Sequence, residues 1–266
     1  MEAEVGRDDL TIAYRARRAS DGTPVLLKVV APQFTFDAWF VRRFKDAVRR
    51  NIYLEHPHII RTLEVGERDE LLYMVQEWLD AEPLADYLSR NAPLPVTEVI
   101  ALVKQIAAAL DYAHSKAIRH GDLTGDNIFI RDGQVWLSDF GLTQTTEGTS
   151  LAKKGFAVGN PAYLAPERVR GESPSRPADL YALGVLTYQM LTGQLPFDGE
   201  PAAVLHAQVY EQPAPPHTLR PALRPAISDV VLRMLSKGLE LRHTTGAEFA
   251  RALQVAAEGS APVRPI

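Results

Sequence analysis

The sequence predicts an α+β fold in two lobes: a small antiparallel β-sheet lobe with one helix, and a larger, mainly helical lobe. Three observations lead there. Short apolar runs bounded by turn residues mark the first part of the chain up to about residue 80. Beyond that point apolar residues recur at helical spacing instead. The 266 residues, 46% apolar and 23% charged, suffice to bury a core without metal or disulfide staples.

In chain order, Asp21-Gly22 is a hairpin signal ahead of the apolar run Val25 to Val30. Phe40, Phe44, Ala47 and Val48 then recur at helical spacing among Arg42, Arg43, Lys45 and Arg49, which predicts one amphipathic helix against the sheet. Leu71 to Val75 is a further strand. Ile100, Val103, Ile106, Ala107 and Leu110 share one helical face. Leu180 to Leu191 is apolar nearly all round, as a buried central helix is, and Gly193 follows as its C-cap. Gln212 to Pro225 is proline-rich and reads as a long surface connection. Glu258 to Ile266 reads as a linker or tail. These features divide the chain into residues 1–256, with lobes 1–79 and 80–256, and a tail 257–266.

Composition removes several function classes. With no cysteine, the chain has no disulfides, thiol catalysis, zinc knuckles or iron–sulfur clusters. Its net charge of −4 supplies no basic field for nucleic acid. The opening MEAEVGRDD is acidic where a secretory signal needs a basic end and an apolar run. Val99–Leu110 and Tyr181–Leu191 fall short of a membrane span and carry polar residues. Apart from His56 and His58, the seven histidines lack metal-ligand spacing. The expectation is a soluble, cytoplasmic piece without a membrane segment.

Motifs that are weak singly occur in a fixed order. Lys28 sits near the end of an apolar strand. His120-Gly121-Asp122-Leu123 is followed by Asn127, five residues after the aspartate. Ser138-Asp139-Phe140-Gly141 and Ala165-Pro166-Glu167 come next; Asp179 opens the buried helix, and Arg242 lies near the end. A lysine in a strand usually snorkels to solvent and a lone Asp-Gly is usually a turn. The ordered set outweighs those readings. Over about residues 5–256 it resembles the eukaryotic-like Ser/Thr protein kinases found in bacteria.

That resemblance implies phosphoryl transfer from ATP with Mg²⁺, which is mainly positioning plus charge neutralisation. It casts Asp122 as the base for a substrate hydroxyl, Asn127 and Asp139 as metal ligands, and Lys28 as the partner of the α/β-phosphates. Gly6, Ala13, Leu26 and Phe129 would wall the nucleotide site. Glu77 and Leu79 would offer backbone groups to adenine, with Gln76 as gatekeeper. Glu167–Arg242 and Asp179 would be structural. The implied partner is a protein, bound or phosphorylated, and the chain could be the intracellular domain of a longer membrane protein. The sequence leaves the oligomeric state open.

The departures concern ATP. The family's glycine-rich loop aligns with Gly6, Asp8, Thr11 and Ala13, so two of three glycines are lost and a carboxylate stands near the polyphosphate. The pairing glutamate of the helix falls on Ala47. With Ala13 for the family's valine and Leu26 for its alanine, the pocket either keeps its volume in a new shape or is filled by Leu26 and Phe129; two large side chains favour filling. Gly121 replaces the catalytic-loop arginine, so a phosphorylated activation loop would lack its charge partner; Thr143, Thr145, Thr146, Thr149 and Ser150 read either as phosphosites or, the favoured reading, as ordinary exposed-loop residues. Thr124 replaces a lysine and Asn160 a threonine, and the two are expected to bond each other. Three readings follow: a pseudokinase-like or severely impaired module with weak ATP binding, favoured slightly; a genuine but slow Ser/Thr kinase; and a small-molecule phosphotransferase, which Ala-Pro-Glu, Asp179 and Arg242 argue against.

Overall fold

The structure, a computed structural model, describes residues 2–69, 71–146 and 159–259. In the smaller lobe β1 (Ala3–Arg7), β2 (Thr11–Arg17), β3 (Pro24–Val30), β4 (Thr62–Arg68) and β5 (Leu71–Glu77) form one antiparallel sheet in the order β1-β2-β3-β5-β4. The turn at Asp21-Gly22 joins β2 to β3, as its dipeptide predicts. Two helices cross the sheet, α1 (Pro32–Thr35) and α2 (Ala38–Asn51). Asp37 caps α2 by accepting from Trp39 N and Phe40 N. Phe40, Phe44, Ala47 and Val48 are buried with Leu10, Val30, Phe34, Leu72, Met74 and Leu142 in a core of their own.

The larger lobe opens with a small sheet of β6 (Glu82–Pro83), β7 (Ile128–Arg131) and β8 (Gln134–Leu137), beside α3 (Leu84–Asn91) and α4 (Val96–Ser115). There follow α5 (Pro166–Val169), α6 (Arg176–Thr192), α7 (Pro201–Tyr210), α8 (Pro216–Leu219), α9 (Pro225–Met234) and α10 (Gly246–Glu258). Fourteen of the seventeen residues of α6 are buried, which accounts for its lack of a polar face. Gly193 ends it at φ 76°, a left-handed cap that a side chain would strain.

Two expectations need correction here. The segment Gln212 to Pro225 is not a bare surface connection. It contains α8, buries Pro216 and Leu223, and is pinned by Arg220, whose Nη1 donates to the carbonyls of Leu94 (2.7 Å) and Leu191 (3.0 Å). The helical chain also persists through Glu258, capped by Gly259, because Phe249, Ala250, Leu253 and Ala256 bury an apolar stripe; residues 260–266 lie outside the described residues. Among the described residues no helix is long and apolar enough to cross a membrane.

Candidate active site

The chemistry-bearing side chains meet between the lobes. β3 carries Lys28, whose ammonium pairs with Asp139 Oδ2; both side chains are buried. Ser138 Oγ donates to the same oxygen at 3.3 Å. Asp139 Oδ1 is buried and accepts no hydrogen bond. Asn127 ends a one-turn 3₁₀ helix, and its Nδ2 donates to Asp122 O (2.9 Å) and Asp122 Oδ2 (3.0 Å). The Asn127 amide oxygen and the unpartnered Asp139 Oδ1 belong to residues that line one cleft, and both are hard oxygens of the kind Mg²⁺ takes, one or two from protein with phosphate and water completing its shell.

Burial pushes the Asp122 carboxyl up to about 7; the Asn127 hydrogen bond opposes the rise, and the carboxylates of Asp139, Asp8 and Asp126 add to it. The loop holding Asp122 is itself hung from α6. Asp179 accepts from the backbone N–H of His120 (2.9 Å) and Gly121 (2.8 Å) and pairs with His114 Nε2 at 2.7 Å. Burial raises the Asp179 carboxyl, but the His114 bond and the amides outweigh it and hold it below 3.8. Glu167 and Arg242 form a buried two-pronged pair, both bonds 2.8 Å.

The turn between β1 and β2, which the resemblance sets against the phosphates, is closed by its own carboxylate. Asp8 Oδ1 accepts from Leu10 N (2.7 Å) and Thr11 N (2.6 Å), and Asp8 Oδ2 accepts from Thr11 Oγ1 (2.8 Å). The turn between β1 and β2 therefore spends these amides on its own carboxylate. Leu10 anchors it by burying its side chain in the small-lobe core. Ala47 is buried in that core, so α2 offers Lys28 no carboxylate from that position.

The side of the cleft that the resemblance assigns to adenine is open. Gly6, Ala13, Leu26, Lys28 and Phe129 line a cleft of about 360 Å³, with Glu77, Trp78 and Leu79 along its edge. The expected filling by Leu26 and Phe129 does not occur: both are only partly buried and stand as walls, because β3 and β7 lie on opposite sides of the gap. Gln76 is buried behind it, with Oε1 unpartnered.

Two more expectations are corrected. Thr124 and Asn160 do not bond each other. Thr124 Oγ1 accepts from Asp126 N (3.3 Å) and Asn160 Oδ1 from Ala162 N (3.0 Å), so each caps its own short turn. Thr145 and Thr146 are not exposed-loop residues; both are buried in a 3₁₀ turn, and Thr145 Oγ1 donates to Leu142 O at 2.5 Å. Thr149 and Ser150 lie outside the described residues.

Sequence reasoning missed three residues that shape the site. Asn51 Nδ2 donates to Phe140 O at 2.7 Å and ties α2 to the Asp-Phe-Gly turn. His114 braces Asp179. Both are polar residues on otherwise apolar helical faces, a signal visible in the spacing. Gln144 packs on Gly121, where a Cβ would come within 2.8 Å of its Nε2, and φ of 77° there independently favours glycine. No spacing rule points to that contact.

Comparison with known proteins identifies the family to which this fold belongs. The protein kinase domain family model matches residues 1–254. A probable serine/threonine-protein kinase, PknB of Lactococcus lactis, is 32% identical over 92% of this chain and 40% of its own length. Serine/threonine-protein kinase Pkn1 of Myxococcus xanthus is 36% identical over 95% of this chain and 37% of its own length. The chain thus spans about two fifths of these curated relatives. The crystal structure of the Mycobacterium tuberculosis PknI kinase domain superposes with a TM-score of 0.77 at 28% identity, covering 96% of this chain and 94% of that one. The chain belongs to the protein kinase domain family, among relatives that are bacterial serine/threonine kinases.

Proposed function

We propose that this domain is a kinase-like signalling module that keeps the proton-accepting and metal-binding groups of a Ser/Thr kinase but binds Mg-ATP weakly and works mainly through protein contact. The observation that carries this reading is the Asp8 carboxylate on the amides of Leu10 and Thr11. A phosphate oxygen approaching those donors meets a fixed negative charge and must displace two charge-assisted hydrogen bonds. The pairing of Lys28 with Asp139, opposite an alanine at position 47, supports it further.

The residues present still fit a nucleotide with magnesium. Asp139 Oδ1 and the Asn127 oxygen would hold the metal, which when bound neutralises charge on the phosphates and lines them up. Lys28 would turn toward the α/β-phosphates, and the backbone of Glu77 and Leu79 would face adenine along the cleft edge. Asp122, near neutral in its proton affinity and fixed by Asn127, would accept the proton of a substrate hydroxyl. This set, with the open 360 Å³ cleft, favours the second reading: a genuine but slow Mg-ATP-dependent Ser/Thr kinase.

Thermal unfolding with millimolar ATP, with and without Mg²⁺, tests the choice. A ligand at ~100 times its Kd stabilises a fold by about 2.7 kcal/mol, a large shift in a melting curve. Weak binding gives a small shift that magnesium barely changes. A large magnesium-dependent shift, with phosphate transfer that Asp122→Asn abolishes, establishes the slow kinase instead.

A further inference from the structure

One lysine of the larger lobe has unusual surroundings. Lys237 follows α9, and its Nζ donates to the Ala207 carbonyl of α7 at 3.2 Å. The same nitrogen lies 4.7 Å from the centre of the Phe197 ring and 5.9 Å from that of Tyr181 on α6. Tyr181 is fully buried and Phe197 partly so, which walls the ammonium with two aromatic faces and a peptide oxygen. Unlike Lys28 and Lys45, it forms no ion pair among the described residues. Burial pushes its ammonium down to about 8; the like charges of Arg242 and Arg170 add to the fall, and Glu211 opposes it. The ring faces also favour the cation, and they offset only part of the desolvation. At pH 7.5 about a quarter of such a side chain is free amine, against roughly one part in a thousand for an ordinary lysine. Lys237 is partly exposed, so a small reagent can reach it.

We propose that Lys237 is an acylation site, at which a short uncharged acyl group passes from an acyl phosphate to Nζ. The amine lone pair attacks the carbonyl carbon and a C–N bond forms. The C–O bond to phosphate breaks, and the amine proton leaves with the phosphate. The surroundings suit the product better than the cation it replaces. A secondary amide keeps one N–H for the Ala207 carbonyl and sets its acyl group against Phe197 and Tyr181. It also ends the repulsion from Arg242 and Arg170. The ring faces and the peptide oxygen are negative, which favours an uncharged acyl group over an anionic one. The location links the modification to the rest of the lobe. Arg242 donates to the carbonyls of Ser236 (2.8 Å) and Lys237 (3.5 Å), so the acylated residue adjoins the ion pair that fixes the Ala-Pro-Glu segment through Glu167.

This inference is independent of nucleotide binding, and its test contains no nucleotide. The full chain is incubated with acetyl phosphate at about pH 7.5, and acetylation of each lysine is followed over time by peptide mass spectrometry. Lys104 and Lys116, exposed on α4 and at its end, serve as internal references. In the folded chain Lys237 should acetylate at least about tenfold faster than either reference. In guanidinium chloride, where the aromatic walls are gone, it should react no faster than they do. Its rate should level off above about pH 8, while theirs climb toward about pH 10. Lys237→Arg should abolish the fast phase and leave the slow sites unchanged, and the acetylated native chain should melt no lower than the unmodified one. Reaction no faster than at the references, a preference that survives guanidinium, a fast phase that persists in Lys237→Arg, or unfolding on acetylation overturns the proposal.

Discussion

At the scale of single residues, the proposed weakness of ATP binding rests on Asp8. Its carboxylate satisfies two backbone donors, and on that proposal its charge would oppose an incoming phosphate. Asp8→Asn keeps an acceptor for the turn but removes the charge. The expected outcome is Mg-ATP affinity about tenfold higher, roughly 1.4 kcal/mol, read by isothermal titration. Unchanged affinity would place the obstacle at Lys28 or in the adenine cleft. Arg242 illustrates a different rule. Its guanidinium is fully buried against Glu167, so Arg242→Ala strands a buried carboxylate and should cost about 3–5 kcal/mol in urea unfolding. Replacing both partners with apolar residues of similar volume should recover only part of that loss, because Arg242 also donates to the carbonyls of Ser236 (2.8 Å) and Pro177 (3.0 Å). If the double variant is as unstable as the single one, the pair contributes more than mutual charge compensation.

At the scale of elements, α2 and the Asp-Phe-Gly turn behave as one packed unit. Asn51 bonds the Phe140 carbonyl, and Leu142 enters the core that α2 builds with Phe40 and Phe44. Asn51→Leu leaves that carbonyl without its donor and should destabilise the fold by roughly 1–3 kcal/mol. Repair of the phosphate side also belongs here, because it needs α2 and the β1–β2 turn to change together. Ala47→Glu competes with Asp139 for Lys28, while Asp8→Gly and Thr11→Gly free the amides of the turn. The triple variant is expected to autophosphorylate at least tenfold faster than the native chain, with Asp122→Asn as the blank for radiolabel transfer. A gain in affinity without turnover would move attention to Thr124 and Asn160, which cap their own turns and supply no cation.

At the scale of the whole molecule, the larger lobe is organised around one buried acid. Asp179 on α6 holds the backbone of His120 and Gly121 and the ring of His114, and its carboxyl is held below 3.8. A folded-state value below the unfolded one means that the stabilisation is present above about pH 4 and fades as pH falls through the lower, folded value. The melting temperature of the native chain should therefore drop steeply on the acid side of pH 4. Asp179→Asn should be less stable at neutral pH and show a shallower acid limb. An identical acid limb in the variant would assign the acid sensitivity to other carboxylates.

Much of this was legible in the sequence. The switch from short apolar runs to helical periodicity located the two lobes, because burial on one sheet face or one helical stripe imposes those periods directly. The motif order placed Lys28, Asp122, Asn127 and Asp139 as a set, since spacing along a chain survives folding as position on successive elements. Ala47 was readable as an inward apolar position for the same reason. Which atoms those groups touch depended on contacts between segments far apart in the chain. Lys28 meets Asp139 across 111 residues, Asn51 meets Phe140 across 89, and Gln144 closes over Gly121. Leu26 and Phe129 were large enough to fill the adenine space, but the separation of β3 and β7 makes them walls. Asp8 could be seen as a charge near phosphate; only the folded turn aims it at its own amides. The sequence alone determined which elements form and which groups lie on them, because local periodicity and spacing carry that information. The tertiary structure decided pairing, openness and direction, because those depend on how separate elements pack.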